Sequence, residues 1–177
     1  MNTISYLKQI TGNEKALIIS CIECCMDVES SGSNQFYRHT TLGNVVCEKS
    51  FHEESIKYYV ESRKCKHIIV AGHTDCKAIN SILNDSLNSQ SIAFLKTELQ
   101  GMVQGNYSKY LAADLLELLV IELSVTRLCR NLLTYSFIHE PLEREKLSVT
   151  GVVLNPLGTN KKIFHNGIAY NDLISIN

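Results

Sequence analysis

Only two prolines occur in 177 residues, and the nine glycines gather into no low-complexity linker. With 45% hydrophobic and 20% charged residues, the chain is excluded from the disordered, collagen-like and coiled-coil classes. An excess of one charge is missing too: 17 Lys and Arg stand against 18 Asp and Glu, a net charge of -1. A general nucleic-acid binder would show a basic excess or a basic stripe, and neither is present. Long apolar runs are absent. The longest stretch, residues 115–123, is broken by Glu117 and Glu122, far from the roughly 20 apolar residues of a membrane span. Residues 1–15 hold no apolar signal-peptide core and no small-residue cleavage site, so the protein is expected to be cytoplasmic. No internal repeat or composition break divides the chain, and residues 1–177 are read as a single domain.

What the sequence has in unusual measure is cysteine: Cys21, Cys24, Cys25, Cys47, Cys65, Cys76 and Cys129. An odd number without an export signal makes a poor disulfide framework. Buried packing thiols are the default for Cys47, Cys65 and Cys129.

The order of elements is legible from apolar spacing. Ile4, Leu7 and Ile10 predict a short amphipathic helix over 2–11, stopped at Gly12-Asn13. Residues 16–20, a continuous apolar run, suit a strand buried on both faces of a parallel sheet. Residues 29–34, rich in Ser and Gly, are expected as loop. A second strand is expected over 35–39, followed by a Gly43-Asn44 turn. Ile56, Tyr59 and Val60 predict a helix over 51–63, residues 67–71 a second buried strand ending at Gly72-His73, and residues 76–83 the start of another helix. A long, largely apolar helix is expected over 108–133, and such a helix is normally buried. Residues 147–154 read as a strand, and the turn through Asn155, Pro156, Gly158 and Asn160 leads to an edge hairpin at Ile163-Phe164. This alternation predicts an α/β fold: a mostly parallel central sheet flanked by helices, with a late edge strand.

Two strand ends carry metal-type ligands. The first runs into Cys21-Ile22-Glu23-Cys24-Cys25 and the later one into His73-Thr74-Asp75-Cys76. In parallel α/β sheets, ligands collect outside the carboxyl ends of the strands. If these strands are neighbours, Cys21, His73 and Cys76 converge, and two thiolates with one imidazole form a set that Zn²⁺ accepts.

These two segments resemble the zinc signature of the β-class carbonic anhydrases, Cys-x-Asp-x-Arg followed by Gly-His-x-x-Cys. Gly43-Asn44 sits where that family has an Ala-Gly-Asn turn, and residues 148–153 resemble its late strand with a central glycine. The resemblance covers most of the chain. It implies Cys21, His73 and Cys76 as zinc ligands, a fold that assembles as homodimers or larger homo-oligomers, and a lyase (carbonate dehydratase) activity. Zinc there lowers the pKa of water to about 7 and makes hydroxide available to attack CO₂, giving bicarbonate. The small molecule is then the only substrate-type partner, with no nucleic acid and no membrane.

The sequence departs from the family at telling positions. The aspartate is Glu23, the expected catalytic carboxylate, and the arginine is Cys25, which lacks the guanidinium that clamps a carboxylate away from the metal. Thr40 stands where the family often has another arginine, and Lys77 replaces a glycine after Cys76. Zn²⁺ with two thiolates and a neutral imidazole sums to zero. A fourth ligand of hydroxide, carboxylate or thiolate leaves one negative charge that needs a cation, with Lys77 first and Arg38 second as candidates. Glu23, Cys24 or Cys25 could close the fourth position, giving a non-catalytic zinc-binding relative or one with another small electrophile as substrate. Against these readings, Glu23 is equally a solvated carboxylate at a helix start, and Cys24 and Cys25 are more readily packing thiols. Asp75 orients a donor or caps the next helix. His39, His52, His67, His139 and His165 show no partner pattern and are expected as surface or satisfied core. Cys21-Ile22-Glu23-Cys24 also reads as a Cys-x-x-Cys redox motif. The redox reading leaves His73 and Cys76 unexplained, and a cysteine phosphatase fails because Asp27 occupies the required arginine position.

Overall fold

A computed structural model of the chain describes residues 3–24, 35–44, 49–83, 97, 101, 113–155 and 159–170, with backbone alone at 49–51, 82–83 and 113–114. The expectations for Cys25, Cys47, the loop at 29–34, the start of the long helix before residue 113 and the turn at Pro156 and Gly158 lie outside the described residues. The first strand, β1 (Ala16–Cys21), is buried at all six positions. Leu17, Ile18 and Ile19 have no exposed surface, and each such side chain contributes about 1.5–3 kcal/mol of transfer free energy. Only a strand covered on both faces places consecutive apolar residues this way.

β1 runs parallel to β2 (Phe36–Thr41) on one side and to β3 (His67–His73) on the other. β4 (Ser148–Leu154) lies parallel to β3, while β5 (Lys161–His165) and β6 (Ile168–Ala169) follow antiparallel. The sheet therefore has six strands in the order β2-β1-β3-β4-β5-β6, the mostly parallel sheet that the alternation predicts. Its late edge differs in one respect. The strand around Ile163-Phe164 is an inner one, paired to β4 and to β6, and the edge hairpin turns at Asn166-Gly167, where φ is 45° and 98°. Asn-Gly is the strongest short hairpin signal, because both residues accept the positive φ that the turn needs.

Helix α1 (Thr3–Thr11) lays Leu7 against Ile18, Ile69, Ala71 and Val152 on one face of the sheet, with Ile4 and Ile10 beside it. It ends where Gly12 turns left-handed (φ 60°) and donates its N–H to the Lys8 carbonyl at 2.8 Å, a glycine stop. The other face is covered by α2 (Lys49–Glu61), α3 (Lys77–Leu83), α4 (Ala113–Leu132) and α5 (Ser136–Glu143), through residues such as Ile56, Ile79, Val125 and Ile138. α4 is the buried helix that its apolar circumference predicts, with Val120, Ile121, Val125 and Cys129 almost wholly enclosed. It lies tight on the sheet. A Cβ at Gly72 would come within 2.7 Å of Ile121 and 2.8 Å of Val125, and one at Gly151 within 2.9 Å of Val125. α5 has no counterpart in the sequence reading. It is eight residues long, buries Ile138 and contains Pro141, so it offers almost no periodicity and an apparent breaker. None of the described helices is long and apolar enough to cross a membrane.

Candidate metal centre

The site is a consequence of strand order. β1 hands the chain to β2 on one side, whereas β3 lies on its other side and continues to β4. The crevice beyond β1 and β3 is thus the point where the winding reverses, the place where open α/β sheets bind ligands. Cys21 is the last residue of β1 and His73 the last of β3. The Thr74 N–H, bonded to the Leu154 carbonyl at 3.1 Å, holds the chain as it leaves β3, and Cys76 follows immediately before α3. The Gly43-Asn44 turn, both residues left-handed at φ 58° and 60°, brings the Gly43 N–H to the Cys21 sulfur at 3.4 Å.

The ligating atoms of Cys21, His73 and Cys76 all lie within 4.8 Å of one another. The two sulfurs are 3.7 Å apart. Two sulfurs each about 2.3 Å from one tetrahedral zinc ion would lie about 3.8 Å apart, so the spacing fits a shared metal without rearrangement. The imidazole is oriented for the same purpose. His73 Nδ1 is 3.1 Å from the Thr74 carbonyl, which only accepts, so Nδ1 carries the hydrogen and Nε2 the lone pair. Nε2 is buried and has no hydrogen-bond partner. A buried acceptor without a partner costs about 1–3 kcal/mol, and a metal ion in the crevice would satisfy it. A backbone carbonyl fixing the other ring nitrogen is the usual second support of a metal-binding histidine.

Electrostatics point the same way. The Cys76 thiol donates toward Cys21, which holds the Cys21 pKa well below the ordinary thiol value, aided by His73 and by the backbone N–H groups of Glu23 and Gly43. The same pairing, with burial, pushes the Cys76 pKa up, opposed by the Ile79 N–H at the start of α3. The Cys21 sulfur raises the His73 pKa against its burial. A thiolate already surrounded by donors is the form that a metal takes up.

Glu23 does not enter this triangle. Its Oε2 accepts the Ala78 N–H at 2.7 Å, so a carboxylate from the β1 loop occupies the amino terminus of α3, where the helix dipole favours it. Glu117 of α4 accepts the Cys76 N–H at 3.1 Å. Lys77 and Asp75 are exposed, and Asp75 stands in the left-handed region at φ 58°. Arg38 of β2, half-buried, donates to Ser20 Oγ at 3.2 Å and to the carbonyls of Cys21 at 3.2 Å and Cys24 at 2.8 Å. It ties the ligand-bearing loop to the sheet. Cys24 is buried in the opposite cluster with Leu7, Ala16 and Phe36, in agreement with a packing thiol. The histidines without a sequence pattern have partners: His39 Nε2 meets His52 Nδ1 at 2.7 Å, His165 meets Thr150, His139 pairs with Glu143, and His67 bonds Ser148 and Glu14.

The carbonic anhydrase family model matches residues 16–158. A carbonic anhydrase of Synechococcus elongatus is 27% identical over 150 residues, covering 77% of this chain and 55% of the relative. Another, of Synechocystis sp., is 31% identical over 103 residues, covering 55% of this chain and 37% of the relative. The chain thus spans about half the length of the first of these relatives. Among solved structures, a tetrameric β-carbonic anhydrase of Sordaria macrospora superposes with a TM-score of 0.72 at 19% identity, covering 91% of this chain and 87% of that one. The Coccomyxa β-carbonic anhydrase in complex with acetazolamide gives 0.69 at 23%, covering 91% and 78%.

Proposed function

The chain belongs to the β-carbonic anhydrase family, and on that premise we propose that it is a zinc-dependent lyase that hydrates CO₂ to bicarbonate, with Cys21, His73 and Cys76 holding the metal. The observation that carries this reading is the pair of sulfurs 3.7 Å apart beside a buried, partnerless His73 Nε2. Zinc held by this set would lower the pKa of water to about 7 and so supply a nucleophile near neutral pH.

The chain's own residues do the rest. Thr74 fixes the imidazole tautomer, and the N–H groups of Gly43, Glu23 and Ile79 stabilise the thiolates. Glu23 is the proposed catalytic carboxylate. Its bond to the Ala78 N–H holds it against α3 and supports a fourth metal position left open to water. From there the carboxylate would serve as an acceptor that orients the hydrogen of a water in the crevice. Stopped-flow CO₂ hydration on protein of measured zinc content tests the proposal. A rate above buffer that scales with bound zinc is the expected result, and a rate equal to buffer would overturn it.

A second reading follows from Cys25 in the family's arginine position: a closed, non-catalytic zinc site with Glu23 or Cys25 as fourth ligand, or an altered substrate. A zinc-loaded crystal structure separates the open from the closed sphere. The redox reading has less behind it, because the Cys21 sulfur faces Cys76 while Cys24 packs in the other cluster. Thiol labelling that finds a Cys21–Cys24 disulfide after oxidation would restore it.

We place the protein among homo-oligomers. Ile22 and Leu42, beside the site, are 64% and 37% exposed, and burying such side chains against a second copy would be favourable. Sedimentation equilibrium showing only a monomer would remove this part.

A further inference from the structure

The opposite end of the sheet holds a second cluster of reactive side chains. His67 opens β3 and Ser148 opens β4, and the two are register partners. Since β3 is seven residues long, they lie about 20 Å from the metal crevice. Glu14, just before β1, completes the group. His67 Nε2 is 3.2 Å from Glu14 Oε2, and His67 Nδ1 is 2.7 Å from Ser148 Oγ. Lys66 Nζ lies 2.5 Å from Glu14 Oε1 and holds the carboxylate in place.

These contacts fix the proton positions. Lys66 pulls the Glu14 pKa below the usual carboxylate range, so Glu14 only accepts and His67 Nε2 carries the hydrogen. The Nδ1 lone pair then faces the Ser148 hydroxyl. A hydroxyl bonded to an imidazole that is oriented by a carboxylate is the arrangement that activates a nucleophile. These residues line a cavity of about 610 Å³ together with Leu142, Leu147, Lys146 and Asn166. Asn166 Oδ1 accepts the Val149 N–H at 2.9 Å, which leaves the amide NH₂ end for a ligand next to Ser148.

We propose that Ser148, His67 and Glu14 form a second reactive site, independent of the metal, that cleaves small carboxylic esters through an acyl-serine. Ser148 Oγ bonds to the carbonyl carbon while its proton passes to His67 Nδ1. The bond to the alcohol oxygen breaks, and the alcohol leaves with that proton. Water then cleaves the acyl-serine, giving the carboxylic acid and restoring the hydroxyl. The Asn166 amide and the Lys146 ammonium supply donors for the carbonyl oxygen, and Leu142 and Leu147 receive a short acyl chain.

The test uses the full chain with its zinc content measured. A fluorophosphonate probe followed by peptide mass spectrometry should label Ser148 ahead of every other serine. Hydrolysis of p-nitrophenyl acetate should fall at least about 10-fold in both Ser148→Ala and Glu14→Gln, in line with the size of general-base effects. Zinc content and CO₂ hydration should stay unchanged in both variants, so failure of the metal reading and failure of this one are told apart. Label spread over exposed residues without enrichment at Ser148 would overturn the proposal. Ester hydrolysis undiminished in Ser148→Ala would do the same.

Discussion

Arg38 does for the ligand loop what a disulfide or a turn would do elsewhere: three acceptors on residues 20–24 converge on one guanidinium. Truncation to Ala leaves two buried carbonyls without their charged donor, a cost of about 1–3 kcal/mol. Arg38→Ala should therefore hold zinc about 10–100-fold more weakly, as losses of outer support around metal sites do, read by competition with a chromophoric chelator. Retention equal to wild type would show that the loop holds itself. A second substitution addresses the family's lost arginine. If the missing guanidinium limits activity, Cys25→Arg combined with Glu23→Asp should raise the CO₂ hydration rate at equal zinc content, and no gain would show that another feature blocks the pocket. The convergence of Cys21, His73 and Cys76 was legible in the sequence because each follows a buried apolar run, and strand ends in such sheets share one rim. Arg38 was legible only as a spare cation, since its partners are backbone carbonyls 14 and 17 residues away. Glu117 gave no signal at all. It looks like an interruption of an apolar helix until α4 is laid beside the Cys76 N–H.

Among elements, α4 is seated closely on the sheet. Gly72 and Gly151 are the gaps into which Ile121 and Val125 fit, and branched side chains on a buried helix give little. Gly72→Ala should cost about 1–3 kcal/mol by overpacking, seen as a lower urea midpoint, with part of the loss recovered by Val125→Ala. His39 of β2 meets His52 of α2 at 2.7 Å. Burial, and then the neighbouring His52, lower the His39 pKa from the usual 6.5. The folded form thus resists protonation that the unfolded form accepts. Stability from His39 is complete above pH 6.5 and declines as pH falls below it towards the lowered value. His39→Gln should flatten that part of the stability–pH curve in chemical denaturation, whereas an unchanged slope would assign the acid sensitivity to other groups. β1, β3, β4 and the longer helices were readable because their apolar runs or periods extend over five residues or more. α5, with one fully buried side chain and an internal Pro141, was not. The Asn166-Gly167 turn passed unread although its chemistry signals a hairpin, and the apolar pair at Ile163-Phe164 drew the edge one strand too early.

For the molecule as a whole, the proposed metal site makes stability and metal content one quantity seen twice. A metal that binds only the folded state adds RT ln(1 + [L]/Kd), about 4.1 kcal/mol at a thousandfold excess over Kd. For a domain of this size that corresponds to about 10 °C. Stripping zinc with a strong chelator should lower the melting temperature by about that amount, and zinc but not magnesium should restore it. An unshifted transition would mean that no metal is held by the fold. The overall architecture was the most legible level, because alternating helices and buried strands leave few topologies. Which strands stand side by side was not, since the pairing of β1 with β3 rather than only with β2 is decided by long-range packing.

That pairing places Cys21 and Cys76 in contact although 55 positions separate them along the chain. No excised peptide carries both halves of the grip, and a nascent polypeptide has none until β3 has left the ribosome and docked. If the cluster holds zinc as proposed, metallation is a late event in the life of each molecule, and any lesion that loosens the β1–β3 seam, however far from the rim, should announce itself first as leaked zinc.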